Sequence, residues 1–311
     1  MCGIFGIIGK ERTIYQPDIL TRMEASLSHR GPEDRGILAF DEAVLGQTRL
    51  SIVDLSPSGH QPMRDNEGRY TITFNGEIYN YRELRASLEA QGHRFSTQSD
   101  TEVILKAYRA YGSRCPEYLD GMFAFAIWDE ETKTVFAARD RFGKKPFYYS
   151  QDDHGNLVFA SEIKGLFASG RIKGELSLEA MHAYLRFGYL PPWRSIYQNI
   201  HPLLPAHGLI FAKGTLHTFR YWRLERKPLT ISYLEAKEEV SRLLKNAVDK
   251  RLIADVEIGS LLSGGVDSSL VTGIAASLRQ TPLKTFSAGF DTFINELPYA
   301  AEAAQAFRTD H

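Results

Sequence analysis

Near residues 223–231 the spacing of apolar side chains changes character, and this break constrains the fold more than any other feature of the chain. Before it, short apolar runs alternate with polar turns. Residues 4–8, 44–50 and 69–74 read as strands. Residues 122–128 and 134–138 read as a hairpin across Asp129-Glu130-Glu131-Thr132-Lys133, and 147–149 and 157–160 as another across a turn holding Asp152, Asp153 and Gly155. Helices are predicted over 81–91 and 101–111, stopped by Gly92 and Gly112, with Ser99 and Glu102 at capping-box spacing before the second. Strands with helices added after them predict a layered α+β domain.

After the break, Ser232 opens a long helix with Glu235 three residues on. Val240, Leu243, Leu244, Ala247, Val248 and Leu252 make one apolar stripe along it, which predicts that the helix covers a core. A strand (256–262), a glycine turn, a helix (266–278) and a second strand (283–287) follow, the βαβ opening of a parallel α/β domain. Two strands cannot bury both faces of a parallel sheet, so this second domain is expected to be incomplete. The apolar edges it leaves would favour a homodimer. The expected division is 1–222, a linker at 223–231 and 232–311.

A chain of 311 residues suits two such domains. Its 37 basic and 38 acidic residues give a net charge of -1 with no basic stripe, so nucleic acid is not an expected partner. Two cysteines, Cys2 and Cys115, argue against a disulfide framework and for a reducing compartment. The apolar start ends at Lys10-Glu11-Arg12, too early for a signal peptide, and no apolar run is long enough for a bilayer. The expected location is the cytoplasm, with no membrane partner.

Two motifs carry chemistry. Cys2 follows the initiator methionine, and removal of Met1 would leave a thiol and a free α-amine on one residue. An amine with a reference pKa of about 8 can accept the thiol proton, giving nucleophile and base together. A cysteine in an apolar first strand also fits simple packing. The second motif, Ser263-Gly264-Gly265-Val266-Asp267-Ser268-Ser269, lies between a strand and a helix, where glycines let backbone N–H groups approach an anion. It lacks the Gly-Lys-Ser/Thr of kinase-type phosphate loops, which disfavours γ-phosphate transfer. An ordinary glycine turn with Ser and Asp caps is the plainer alternative.

With that cysteine at one end and that loop at the other, the chain resembles the glutamine-dependent asparagine synthetases. The likeness runs through Met1-Cys2-Gly3-Ile4, His29-Arg30-Gly31-Pro32, residues 49–54, Phe74-Asn75-Gly76-Glu77-Ile78-Tyr79-Asn80, Ser99-Asp100-Thr101-Glu102, residues 121–126, Arg139-Asp140-Arg141-Phe142-Gly143, residues 160–164 and Tyr221-Trp222. The resemblance implies an N-terminal-nucleophile glutaminase, a four-layer αββα sandwich, followed by the start of an α/β parallel-sheet domain of the ATP pyrophosphatase type.

By the same resemblance, Cys2 attacks the glutamine side-chain amide, and Asn75 with the Gly76 N–H forms the oxyanion hole. The plainer reading of Asn75-Gly76 is a left-handed turn ending a strand. Arg49 grips the α-carboxylate, Asp100 meets the α-ammonium with backbone groups of Gly76 and Glu77, and backbone of Leu50, Ser51, Ile52 and Val53 lines the pocket. His29 is read as structural. Leu262, Ser263, Gly264, Gly265, Ser268 and Ser269 would bind ATP, Asp267 would orient Mg²⁺, and Ala288 would meet the adenine. Asp291 fits a turn cap as well as a ligand.

Glu33 and Arg308 depart from the family's usual Asp and Gly. The family's second glycine- and acid-rich loop and its later lysine are absent. The expectation is therefore that these residues release ammonia from glutamine but do not amidate aspartate. Two other readings stay open: an amidotransferase acting on a different carboxylate, such as a sugar acid or cell-envelope precursor, and a non-catalytic binding module. The joint presence of Cys2, Arg49, Asn75, Gly76 and Asp100 speaks against the module. β-Lactam synthetases share the architecture but lack the terminal cysteine.

Overall fold

The computed structural model describes residues 1–10, 16–289 and 295–311, so Asp291 lies outside the described residues. It divides into two compact units, Met1–Leu224 and Glu225–His311.

The first unit is built on two antiparallel six-stranded sheets. One sheet contains β1 (Gly3–Ile8), β2 (Asp34–Ala39), β3 (Ala43–Arg49), β8 (Tyr148–Gln151), β9 (Leu157–Ala160) and β10 (His201–Pro202), in the order β10-β8-β9-β1-β3-β2. The other contains β4 (Met63–Arg64), β5 (Tyr70–Ile78), β6 (Gly121–Asp129), β7 (Thr134–Arg139), β11 (His207–Ala212) and β12 (Thr215–Arg220), in the order β12-β11-β7-β6-β5-β4. Strand alternation sorts the side chains of β1. Ile4 and Ile8 join Leu45, Trp128, Phe159 and Phe211 between the sheets. Phe5 and Ile7 pack on the opposite face against Ile19, Met23 and Leu27 of α1 (Pro17–Leu27) and Leu166 of α4 (Ile163–Ala168). A strand buried on both faces must be apolar throughout, and the run Ile4–Ile8 is just that apart from Gly6.

On the outer face of the second sheet lie α2 (Tyr81–Ala90) and α3 (Asp100–Tyr111). Tyr108 of α3 stacks on Phe136 at 5.1 Å, and Phe136 meets Phe125 edge-on at 5.9 Å. The layers therefore run helix, sheet, sheet, helix, an αββα sandwich. A fifth helix, α5 (Leu178–Phe187), exposes Leu178, Leu185 and Phe187.

Two expectations need correcting here. Asn75-Gly76 is not a left-handed turn, because β5 continues through Ile78 and pairs Gly76 with Phe123. Neither residue has a positive φ. Gly76 is required for closeness instead, since a Cβ there would fall 2.2 Å from the Met122 carbonyl oxygen. Ser99 caps α3 by accepting from Thr101 N, but Glu102 does not complete a capping box. Its carboxylate turns back to the Ser96 and Thr97 N–H groups at 3.0 and 2.7 Å. The β11–β12 hairpin lies outside the expected strands: Lys213-Gly214, both at positive φ, makes the turn that Asn-Gly usually signals.

In the second unit, β13 (Gly259–Leu261) and β14 (Lys284–Phe286) pair in parallel, with α7 (Val266–Ser277) between them in sequence. Two further helices, α6 (Tyr233–Lys250) and α8 (Leu297–Phe307), belong to this unit. Ser232 and Glu235 form a complete capping box on α6. The stripe on α6 is only partly used: Val248 is buried against Ala275 and Leu283, whereas Val240 and Leu243 are exposed. A core of two short strands cannot reach the N-terminal half of an 18-residue helix. No described helix is long and apolar enough to cross a membrane.

Phe136 anchors the outer aromatic layer and is fully buried. Phe136→Ala should cost about 3–5 kcal/mol of stability, measured by urea unfolding, because the cavity is walled by the second sheet and by Tyr108 of α3, which are held in place by their own packing.

Candidate active site

The register of β1 decides where Cys2 sits. Gly3 pairs with Thr48 on β3, so Cys2 emerges at the end of the ladder beside the segment that follows Arg49. Its Sγ lies 3.5 Å from both the N and the O of Leu50. Arg30 fixes the cysteine's backbone by donating Nε to the Cys2 carbonyl at 2.9 Å and Nη1 to Glu162 Oε1 at 2.7 Å. Burial raises the Glu162 pKa, but hydrogen bonds from Arg30, His29 and Lys164 outweigh it and hold the carboxyl down at about 2. His29 therefore serves Glu162, at 2.9 Å, and is not on the wall of the cavity described next.

Cys2 opens into a cavity of about 190 Å³. That is below the ~300–1,000 Å³ typical of drug-sized ligands and on the scale of one small metabolite. Its wall brings together Cys2, Arg49, Leu50, Ile52, Val53, Asn75, Gly76, Glu77 and Asp100, drawn from the residue before β1, the end of β3 and the loop after it, β5 and the start of α3. Ser51 is the exception among the expected residues. Its N–H is taken by Glu33 at 2.8 Å, which turns this peptide away from the cavity.

Arg49 is almost wholly buried, and its Nη2 donates to the carbonyls of Val53 and Asp54 at 3.2 and 2.7 Å. A guanidinium held from one nitrogen keeps other N–H groups for a ligand. Asp100 accepts from the Ile78 N–H at 3.0 Å. Burial drives its pKa up to about 7, against that hydrogen bond, and the neighbouring Glu77 adds to the rise. Burial likewise raises the Cys2 thiol, opposed by the Leu50 N–H, the terminal amine, Arg49 and Lys145. Asn75, 1% exposed, has a side-chain Nδ2 with no hydrogen-bond partner among the described residues. A buried donor left unpaired costs about 1–3 kcal/mol, and this one lies in the wall that also holds the thiol.

Six further residues line the wall that the sequence reading gave no role: Met1, Phe74, Thr101 and Met122 lie within the quoted motifs, whereas Gln61 and Lys145 lie outside them. Gln61 braces the site, accepting from Phe74 N at 2.8 Å and donating to Thr101 Oγ1 at 3.0 Å. Lys145 follows the Arg139–Gly143 motif closely enough that the motif could have pointed to it. Gly59 leaves room for Arg49, since a Cβ there would fall 2.2 Å from Nη2.

In the second unit, the loop Leu262–Gly265 joins β13 to α7. Gly264 has φ +78°, and a Cβ there would lie 2.4 Å from the Tyr299 backbone. Ser263 and Ser268 hydroxyls bond each other at 3.0 Å, and Ser269 N donates to Gly265 O at 2.9 Å. Gly265 at the cap position offers no side chain, so the first N–H groups of α7 have no side-chain cap. Asp267 is exposed in the first turn, and Ala288 is exposed just after β14. Among the described residues no group of three or more His, Cys, Asp or Glu could hold a metal.

Compared with known proteins, residues 1–222 match the glutamine amidotransferase domain model. The chain belongs to the glutamine amidotransferase family. Residues 239–311 match the asparagine synthase model. The chain is 38% identical over 315 residues to asparagine synthetase [glutamine-hydrolyzing] 3 of Bacillus subtilis, covering 98% of this chain and 50% of the relative. It is also 38% identical over 337 residues to a putative asparagine synthetase [glutamine-hydrolyzing] 2 of Methanocaldococcus jannaschii, covering 100% of this chain and 64% of the relative. The chain thus spans about half to two-thirds of the length of these curated relatives. Among solved structures, the glutamine phosphoribosylpyrophosphate amidotransferase of B. subtilis aligns with a TM-score of 0.54 over 92% of this chain and 65% of its own, at 20% identity. That likeness establishes the shared amidotransferase fold.

Gly59→Ala should push the Arg49 guanidinium off the Asp54 carbonyl, at a cost of about 1–3 kcal/mol for overpacking. A crystal structure of the variant, with the Arg49–Asp54 bond lengthened or lost, checks this.

Proposed function

We propose that the first unit hydrolyses glutamine at Cys2. The observation that carries this reading is the unpartnered Nδ2 of buried Asn75, in the cavity wall it shares with the Cys2 thiol. A carbonyl oxygen that gains charge as the thiol attacks is the acceptor such a donor lacks. With Met1 removed, the α-amine of Cys2 takes the thiol proton as sulfur attacks the side-chain amide carbon. The amine then returns the proton to the departing ammonia, and water releases glutamate from the thioester. Asn75 Nδ2 and the Gly76 N–H receive the oxyanion. Arg49 holds the substrate's α-carboxylate and Asp100 its α-ammonium, with Leu50, Ile52, Val53 and Glu77 closing the pocket.

For the whole protein we propose glutamine-hydrolysing asparagine synthesis. The aspartate side-chain carboxylate attacks the α-phosphorus of ATP and expels pyrophosphate, and ammonia then displaces AMP from the β-aspartyl-AMP. In this reading the loop of residues 262–265, with the Ser268 and Ser269 hydroxyls, cradles the phosphates, the Leu262 and Ser269 N–H groups being taken by the Phe286 and Gly265 carbonyls, and Ala288 lies against the adenine. Asp267 offers a single carboxylate, which suits Mg²⁺ bound chiefly through phosphate oxygens and water. When bound, the ion neutralises phosphate charge. The proposed compartment is the cytoplasm, where the free thiols Cys2 and Cys115 stay reduced. A homodimer is the proposed assembly.

Glutamate release from glutamine by the purified chain tests the reading. Cys2→Ala should abolish it, and Asn75→Ala should lower kcat about 10²–10³-fold with a smaller change in KM. An active Cys2→Ala variant would refute the mechanism.

Asp100 adds a pH signature. Its carboxyl is protonated below about 7 in the empty pocket and then cannot pair with an ammonium. KM for glutamine should therefore rise as pH falls below about 7. Asp100→Asn should show a high KM that no longer varies across that range.

A further inference from the structure

Lys145 is a buried cation on the cavity wall that the proposed mechanism leaves without work. It is 6% exposed, and among the described residues its Nζ makes no hydrogen bond or ion pair. Its Nζ is not among the described unpartnered atoms sealed from solvent, so the stem is buried and the ammonium faces the cavity, and holding a cation there calls for a cause. The backbone around it is held from both sides. Asp140, 1% exposed, accepts from the N–H groups of Phe142, Lys144 and Lys145, each at 3.0 Å, and of Phe123 at 3.2 Å. Arg139 donates Nε to Lys145 O, Nη2 to Gly143 O and Nη1 to Leu203 O, each at 2.7 Å. Gly143, at φ +65°, lets the chain turn between these charges. A buried carboxylate and a half-buried guanidinium thus pin the N–H and C=O of the same residue.

We propose that Lys145 is a positioning residue for Cys2, its ammonium, carried on a clamped backbone, holding the thiol and its proton acceptor in the charge state that attack requires. The proposal rests on the reading of Cys2 as nucleophile. The charges facing this region are the terminal amine, Arg30, Glu33, Arg49, Glu77 and Asp140. Arg30 is spoken for by Glu162 and the Cys2 carbonyl, and Arg49 by two loop carbonyls. Lys145 is the side-chain cation of this wall whose charged end has no contacting partner among the described residues. With Met1 attached, burial lowers the Met1 amine, and Lys145 and Arg30 lower it further, against Cys2 and Glu33; the α-amine that Met1 removal leaves on Cys2 lies on the same wall and meets the same cation. On the thiol, Lys145 opposes the rise caused by burial. Both effects favour a neutral amine and a sulfur ready to lose its proton. Glu77 faces Lys145 and offsets part of its field.

The test is the pH dependence of Cys2 alkylation by iodoacetamide, without glutamine, where the thiolate displaces iodide. Peptide mass spectrometry follows Cys2, reports whether Met1 is present, and uses buried Cys115 as an internal control. Lys145→Met should raise the apparent thiol pKa by about one unit, roughly tenfold slower alkylation at pH 7. Lys145→Arg should return the profile to near native. Glu77→Gln should shift it in the opposite direction, to lower pH. If Lys145→Met fails to fold, the Glu77→Gln shift decides alone. Superimposable profiles for the native and variant chains overturn the proposal. Persisting shifts in a chain that never releases glutamate would overturn the glutaminase reading and leave the role of Lys145 standing.

Discussion

The backbone ladder of β1 is the constraint on which the first unit depends. Bonded to β3 on one edge and β9 on the other, the strand is buried on both faces and has no freedom to slip. A slip of one residue would send Phe5 and Ile7 into the space between the sheets and Ile4 and Ile8 into the helical layer. The same ladder places the thiol at its end, opposite Leu50, so the packing of a core and the aim of the proposed nucleophile follow from one register.

Around that thiol the protein arranges charge so that each buried ion is held by backbone groups or by an opposite charge, with Lys145 as the exception. Arg30 and Glu162 form one such pair, Arg49 is held by loop carbonyls, and Asp140 and Arg139 satisfy opposite ends of a single turn. Such groups are costly to desolvate, and their return is orientation more than net stability. Asn75 and Asp100 differ. Asn75 keeps an unused donor, and Asp100 sits at a pKa near 7, so both have interaction left for a ligand.

Much of this architecture is legible in the sequence because the sandwich imposes simple patterns. The β6–β7 hairpin alternates inward Ala126 and Trp128 with outward Phe125 and Ile127, and α2 and α3 end at glycines with positive φ. The parallel β13–β14 pair follows from the strand–turn–helix–strand order. The motifs also bring their residues to one cavity, apart from Ser51. Harder to read were features set by tertiary geometry. Gln61 matters only because β5 and α3 meet beside it, and Gly76 is small because Met122 passes close, not because the chain turns. The α6 stripe misled because periodicity reports which face is apolar and not how much of it finds a partner.

The open edge of β5 has a consequence of its own. β4 pairs only with Thr71 and Ile72, so at Phe74 the edge is closed by two amide side chains, Gln61 on the nitrogen and Gln47 on the oxygen at 2.6 Å. The strand segment carrying Asn75 is thereby tethered like a beam on two struts, and its alignment is decoupled from the length of the sheet beside it. Insertions beyond Met63–Arg64 could lengthen or shorten that neighbouring strand while the two struts kept the cavity wall in place.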